Sequence, residues 1–314
     1  MATDALRIFS GSSHPVLAQG IADYLATALM PVQCRRFSND NLYVRLHDNV
    51  RGTDVFVVQT FAPPVQDHLV ELLMLIDAAR SSSAARVTAV IPYYSYARSD
   101  KKDEPRISIA GRLVADLLQT AGADRVLTIN LHSPQVHGFF SVPTDHLTAE
   151  PVLADALRSR NLGDAVVVTP DIGNAKRATH LARRLNLPVA AGNKRRLDDE
   201  RVVIDGIVGD VHKKTAIVTD DEVATGGSVI EMLNLLQREG VERALVVCTH
   251  GVFTGSAVPR LVAHPIVDEI IATDTMPIDP THFDGKLTIV SVAPLLGEAI
   301  RRIHRDESVS SLFG

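Results

Sequence analysis

Nine short runs of aliphatic and β-branched residues recur along the chain: LRIF (6–9), VFVV (55–58), VTAVI (87–91), VLTI (126–129), AVVVT (165–169), TAIVT (215–219), ALVVCT (244–249), EIIAT (269–273) and LTIVSV (287–292). Runs that are apolar on both faces predict strands covered on both sides, as in parallel sheets. Between them lie helical spacings, such as Ile109, Leu113, Val114, Leu117 and Leu118 ahead of Gly122, and Val229, Met232, Leu233 and Leu236 ahead of Gly240. Each set lies on one helical face, and each glycine suits a C-terminal cap. Strand, loop, helix and strand repeated this often restrict the chain to an α/β architecture with helices on both faces of parallel sheets. In such folds ligands sit beyond the carboxyl ends of the strands, so chemistry is expected in the loops that follow them.

A length of 314 residues suits two domains. The pattern pauses between 141 and 150, at Pro143 and ahead of Pro151, which predicts a boundary near 147 and domains of 1–147 and 148–314. The halves share an order of elements rather than readable identity. Apolar residues make 46% and charged residues 22% of the chain, values of an ordinary globular protein that exclude disordered and fibrous classes. Lys and Arg number 32 against 37 Asp and Glu, a formal charge of −5, so charge-driven nucleic-acid binding is not expected. Cys34 and Cys248 have no metal-ligand spacing, the start shows no basic stretch followed by an apolar one, and no apolar run approaches the ~20 residues that span a bilayer. A reduced, cytoplasmic protein with no membrane segment is the expectation.

The strongest local signal is TAIVTDDEVATGGSVIEML (215–233): a buried strand, two acids, a short loop and a helix. Gly226 and Gly227 let the backbone wrap an oxyanion, and the amides of the following helix point at it. Thr225 and Ser228 add hydroxyl donors beside Ala224. Asp220 and Asp221 are placed where the strand ends, suited either to accepting hydrogen bonds from sugar hydroxyls or to holding a divalent cation through water. The plain structural alternative is a capped strand-to-helix turn. YARSDKKDEPR (96–106) concentrates basic and acidic groups after another strand, which fits either a polyphosphate site or a solvated turn. His132 follows a strand in NLHSPQVHGFF (130–140), where an imidazole ligates a metal, donates to a phosphate, or serves structure alone. GNKRRLDDERVV, read as a bare string, is a solvated turn.

The 215–233 string resembles the 5-phosphoribosyl-1-pyrophosphate (PRPP) binding motif of the type I phosphoribosyltransferase fold. Alone it does not separate enzymes that consume PRPP from those that make it. The remaining segments do: FSGSSHP (9–15), RRFSNDNLYVRLHDNVRGTDVFVVQ (35–59), the stretch 87–118, NLHSPQVHGFF (130–140), VVVTPDIGNAKR (166–177) and ESVSSLF (307–313) resemble, in order, the ribose-phosphate diphosphokinase (PRPP synthetase) family. The resemblance implies two similar α/β domains of the type I phosphoribosyltransferase fold. The ATP-site segments fall in 1–147, the ribose 5-phosphate motif falls in 148–314, and the last helix packs back on the first domain. It also implies Mg²⁺ and a homo-oligomer, commonly a hexamer.

Residue by residue, the resemblance implies ATP binding at Arg98, Ser99, Asp100 and Lys101. Phe37, Asn39 and Asn41 match an adenine-binding strip that is reached across a subunit interface. Asp220, Asp221, Ala224, Thr225, Gly226, Gly227 and Ser228 match the ribose 5-phosphate site, and His132 and Asp171 match residues near Mg²⁺. Lys194 and Arg196 match the two cations of a closing loop that stabilise the diphosphoryl group in flight, as phosphoryl transfer demands. The chain departs from the common pattern at Ser99 (often Gln), Asn41 (often Glu), Asn174 (often Gly) and Ala224 (often Asp). No GxxxxGK[ST] phosphate loop and no protein-kinase signature occurs in the sequence. Histidines 68, 146, 180, 212, 250 and 304 are assigned structural roles.

The expected activity is transfer of the β,γ-diphosphoryl group of ATP to the 1-hydroxyl of ribose 5-phosphate, giving PRPP and AMP. The rival, motivated by Asn41 and Ala224, is a non-catalytic homologue that regulates an active synthetase. A phosphoribosyltransferase that consumes PRPP explains only the second half.

Overall fold

The computed structural model describes residues 5–196 and 202–312, and of residues 172, 194–196, 202, 203 and 205 the backbone alone. The chain divides into two compact units: Met1–Thr148 with Thr275–Pro277 and Ser291–Gly314, and Ala149–Asp274 with Ile278–Val290.

In the first unit, strands β1 (Leu6–Ser10) and β2 (Leu29–Met30) flank helix α1 (Pro15–Tyr24), and β3 (Val32–Arg36) and β4 (Leu42–Leu46) form an antiparallel hairpin. Then come β5 (Asp54–Val58), α2 (Val65–Ser81), β6 (Arg86–Ile91), α3 (Ala110–Ala121), β7 (Arg125–Ile129) and β8 (Thr144–Leu147). The sheet runs β2-β1-β5-β6-β7-β8, parallel throughout. Every residue of β5 is buried, as expected for a central strand covered on both faces. Phe9, Val57, Ile91, Leu72, Ile76 and Leu118 meet on one side of the sheet. Gly122 ends α3 in the left-handed conformation, φ 109°, which only glycine adopts freely.

The second unit begins with α4 (Glu150–Arg158), β9 (Ala165–Thr169), α5 (Ala175–Leu185), β10 (Val189–Arg196) and β11 (Val202–Val208). It continues with β12 (Thr215–Val223), α6 (Gly227–Arg238), β13 (Arg243–Gly251), α7 (Ala257–Val262), β14 (Val267–Thr273) and β15 (Leu287–Val290). Its sheet runs β11-β10-β9-β12-β13-β14-β15, parallel except for the β10–β11 edge pair. Successive side chains of one strand serve opposite faces. Val166, Val168 and Val218 pack with Leu233 and Leu236 of α6, whereas Val167 and Ile217 pack with Leu153 and Leu157 of α4 and Leu181 of α5. Setting aside β11, the two sheets have the same succession of strands.

Two sequence expectations change in detail. The apparent pause at 141–150 holds β8, a short polar strand, and Pro151 stands in the first turn of α4, where its missing N–H costs nothing. Residues 291–314, counted by sequence order within 148–314 with the last helix expected to pack back on the first domain, are part of the first unit, whose last helix is α8 (Ala293–His304). The reason is physical. α8 buries Leu296, Ala299, Ile300 and Ile303, and Gly297 comes so close to Tyr24 of α1 that a Cβ there would lie 2.4 Å from the ring. Fully buried Asp54 fastens its end: Arg86 donates to Asp54 Oδ1 at 2.9 Å and to the Ile303 carbonyl at 2.8 Å, while His304 Nδ1 lies 2.9 Å from Asp54 Oδ2.

Candidate functional site

In the second sheet the chain leaves β9 toward β10 on one side and leaves β12 toward β13 on the other. The carboxyl ends of β9 and β12 therefore bound a switch crevice, the place where open α/β sheets bind ligands. Four polar side chains converge on it. Asp171 follows β9, and its Oδ1 accepts the Gly173 N–H at 2.8 Å, which tightens the turn into α5. Asn174 ends that turn and donates from Nδ2 to Asp220 Oδ1 at 3.3 Å. Asp220 also accepts the Asp221 N–H at 2.9 Å. Asp221, 6% exposed, lies 3.2 Å from Arg177 Nη1 of α5, an ion pair that offsets the cost of burying the carboxylate.

The expected position of the two acids needs correction. Strand β12 runs on to Val223 because β13 keeps pairing with it through Asp220↔Cys248, Glu222↔His250 and Val223↔Gly251. Asp220 and Asp221 thus lie within the strand, and its alternation leaves Asp220 half-exposed while turning Asp221 inward. Buried Cys248 stands opposite, its thiol pushed up by burial and further by Asp220, Glu222 and Asp221.

Beyond the strand, the loop from Ala224 is held from behind. The Val223 carbonyl accepts from the amides of Val252 at 3.1 Å and Phe253 at 2.9 Å, and the Ala224 carbonyl accepts from Thr254 at 3.0 Å. Gly226 turns the chain in the left-handed region, φ 73°, and α6 starts at the next residue with no side-chain cap on its first turn. A Cβ on Gly227 would have only Thr225 Oγ1 nearby, at 3.8 Å, so the space before the helix is open. Thr225 is exposed and Ser228 half-buried at its rim. First-turn amides, the helix dipole and an uncapped glycine turn make an anion cradle beside a pair of acids.

Strand β10 carries Lys194 and Arg196 opposite Ile204 and Val202 of β11. The side chains of Lys194 and Arg196 lie outside the described residues, so the expectation for them rests on sequence.

The other expected residues belong to the first unit. Arg98 ends a 3₁₀ turn (Ser95–Arg98) after β6 and is exposed, as is Lys101, while Asp100 is half-buried. Ser99 has a structural task invisible in the sequence: its hydroxyl donates to the Ser108 carbonyl and accepts the Ala110 N–H, both at 3.1 Å, closing the loop onto the start of α3. His132 is exposed after β7, the parallel neighbour of β6, so both loops emerge at one sheet edge. His146 of β8 anchors the His132 loop, its Nε2 accepting the Leu131 N–H at 2.8 Å. Phe37, Asn39 and Asn41 form the exposed tip of the β3–β4 hairpin, where Phe37 N–H donates to the Asn41 carbonyl at 2.9 Å and Asn39 Oδ1 accepts the Asn41 N–H at 3.3 Å. The Arg35 guanidinium stacks 5.0 Å from the Phe37 ring and 4.7 Å from Tyr43, which holds the tip together.

The structure thus gathers Asp171, Asp220, Asp221 and the 224–228 loop at one crevice, 98–101 and His132 at another sheet edge, and 37–41 on a hairpin. Sequence reasoning passed over Arg177 as the partner of Asp221. Its one available signal was the three-residue spacing from Asn174, which places both on the crevice side of the α5 start.

A parallel sheet with an acid pair and a glycine turn at its switch crevice defines the class: an open α/β protein with a polar crevice at the carboxyl ends of its strands. Residues 6–122 match the family model for the N-terminal domain of ribose phosphate pyrophosphokinase, and residues 198–314 match that for the phosphoribosyl synthetase-associated domain. The ribose-phosphate pyrophosphokinase of Deinococcus radiodurans is 50% identical over 98% of this chain and 98% of its own. That of Synechococcus elongatus is 46% identical over 98% and 93%, respectively. The crystal structure of phosphoribosylpyrophosphate synthetase from Mycobacterium smegmatis superposes with a TM-score of 0.89 at 39% identity, covering 96% of this chain and all (100%) of that one. The chain belongs to the ribose-phosphate pyrophosphokinase family, and its two α/β units have the fold that the sequence resemblance implied.

Proposed function

We propose that this chain is a ribose-phosphate diphosphokinase that moves the β,γ-diphosphoryl group of ATP onto the 1-hydroxyl of ribose 5-phosphate. The observation that carries the reading is the second unit's crevice, where an uncapped glycine turn opens beside an acid pair braced by Asn174 and Arg177. The 5-phosphate lies in the cradle 224–228, with Thr225 and Ser228 donating to it. Asp220 and Asp221 accept hydrogen bonds from the ribose hydroxyls, which fixes the anomeric oxygen.

That oxygen forms a bond to the β-phosphorus as the bond from the β-phosphorus to the α,β-bridging oxygen breaks. AMP departs, and the hydroxyl proton passes to solvent. A loose transition state makes a dedicated protein base dispensable. Lys194 and Arg196 neutralise charge that develops on the moving group. ATP is held by Arg98, Asp100 and Lys101, with Ser99 shaping their loop, and its adenine by Phe37, Asn39 and Asn41 of a neighbouring subunit in a homo-oligomer, a hexamer by resemblance.

The donor chemistry fits Mg²⁺. The Asp171 carboxylate is a hard oxygen ligand at a half-exposed rim, and no three His, Cys, Asp or Glu side chains form a closed cage among the described residues, as suits an ion that keeps water and substrate phosphates as ligands. By the resemblance, Asp171 and His132 are each residues that would serve Mg²⁺, which would supply positive charge to phosphate oxygens. Among the described residues no helix is long and apolar enough to cross a membrane, which accords with work in the cytoplasm on soluble phosphates.

Phosphorus NMR of the purified protein with Mg–ATP and ribose 5-phosphate tests the proposal. Equal amounts of AMP and of a diphosphate on C1 of ribose are expected. Absence of both, with ATP and with other nucleotide donors, overturns it in favour of the regulatory homologue.

A further inference from the structure

Asn174 stands at the N-cap of α5, a place where an asparagine ordinarily turns its side chain back to accept an amide of its own helix. Here it makes no such bond. Its amide reaches across the crevice instead and donates to Asp220 Oδ1, 46 residues away, at 3.3 Å. One turn along the same helix, Arg177 reaches the neighbouring acid, Asp221, at 3.2 Å. The start of α5 therefore grips both acids of β12, one through an amide and one through a guanidinium. A glycine at 174 leaves the Arg177 contact in place and removes the other.

We infer that Asn174 is a positioning residue that sets the carboxylate of Asp220 for the sugar hydroxyls and so strengthens binding of ribose 5-phosphate in this chain. The inference rests on the assignment of Asp220 to the sugar. Three features converge on it: the amide forgoes the cap, Asp220 is half-exposed at the crevice, and its Oδ1 is already turned by the Asp221 N–H at 2.9 Å. Two donors on one oxygen orient the carboxylate plane. Without the Asn174 amide the carboxylate has one fewer constraint, and part of the binding free energy goes into ordering it.

The test is steady-state kinetics on the full-length enzyme with Asn174→Gly, Asn174→Asp, Asn174→Gln and Asp220→Asn, and on the double variant Asn174→Gly/Asp220→Asn. The bond from Asn174 is long, at 3.3 Å, and its loss, counted as that of one ordinary hydrogen bond, predicts that Asn174→Gly raises the KM for ribose 5-phosphate about fivefold, more than it changes kcat or the KM for ATP. Asn174→Asp keeps a good N-cap residue and nearly the same shape but replaces the donor by a like charge, so its KM rises further. Asn174→Gln, with an amide on a longer arm, recovers part of the loss. In the Asp220→Asn background, Asn174→Gly adds less than it does alone, because the partner it positions has already changed.

If Asn174→Gly and Asn174→Asp leave the KM for ribose 5-phosphate at the wild-type value while Asp220→Asn raises it, the positioning role is wrong and the sugar site stands. If Asp220→Asn itself leaves that KM unaltered, the sugar assignment of Asp220 fails first. Equal effects of the glycine variant in both backgrounds also overturn the inference, since the residue then acts on α5 rather than through Asp220.

Discussion

Two adjacent glycines in the cradle permit a separation of folding from binding. Gly226 has φ 73°, and a Cβ there meets nothing closer than Ala257 Cβ at 3.6 Å, an ordinary contact. Gly226→Ala is therefore not a steric clash; its cost is the left-handed backbone alone, about 1–2 kcal/mol. For a unit of this size that corresponds to a fall in melting temperature of roughly 3–6 °C. Gly227 is different. It has no positive φ, it is the first residue of α6, and a Cβ there has open space around it. Alanine at a helix start is neutral to slightly favourable for folding. The same methyl group, however, stands in the space assigned to the 5-phosphate, so the KM for ribose 5-phosphate should rise about tenfold or more, equivalent to at least 1.4 kcal/mol of lost binding. Thermal melts and initial-rate kinetics on both variants decide the matter. A Gly227→Ala protein that melts as early as Gly226→Ala, or that binds ribose 5-phosphate like the parent, refutes the cradle geometry.

Further outcomes follow from other parts of the chain. Lys194→Ala should lower kcat far more than it weakens either substrate, because its charge is needed mainly in the transition state; single-turnover rates set beside KM values check this. Asp54→Ala leaves Arg86 and His304 without their fully buried carboxylate and should cost about 3 kcal/mol, read as a lower melting temperature and faster amide exchange across 293–304. Hydrogen bonding from Arg160, with help from Thr288, holds Glu269 below the usual carboxylate range. A depressed folded value means the stabilisation is complete above about pH 4.3 and is lost as pH falls through the folded value. Glu269→Gln should therefore flatten the acid-side decline in stability below that pH, measured by urea titrations at several pH values, and an unchanged acid limb counts against the pair.

The nine apolar runs all became strands, because a strand buried on both faces writes its burial directly into composition. The strands that sequence reasoning left out fail that condition. β3 (VQCRR) and β4 (LYVRL) are half-exposed, and β2 and β8 are short. At the β10–β11 edge, the charged end NKRR reads as a turn although it pairs with β11. The crevice was legible in part for the same kind of reason. TDDEVATGGS states its loop chemistry locally, so the glycine turn and the acids were found. What the letters did not show is where β12 ends, since its last residues are polar and are kept in the sheet by pairing with β13. Nor did they show Ser99 closing its own loop or Asn174 reaching Asp220, because both depend on which distant backbone or carboxylate is nearby. Local chemistry was readable and long-range partnership was not.

The first unit is assembled from residues 1–148 and 291–314 with the short segment 275–277, and the second unit, 149–274 and 278–290, lies between those outer stretches in sequence. During synthesis the ribosome therefore releases the second unit, residues 149–274 and 278–290, before the earlier-made sheet has received its closing helix. The Asp54–Arg86 clasp waits for His304. A nascent chain halted short of α8 would carry a finished second sheet, while the first unit still exposed the surface that Leu296, Ile300 and Ile303 cover. The first unit's sheet, made first, is thus closed last.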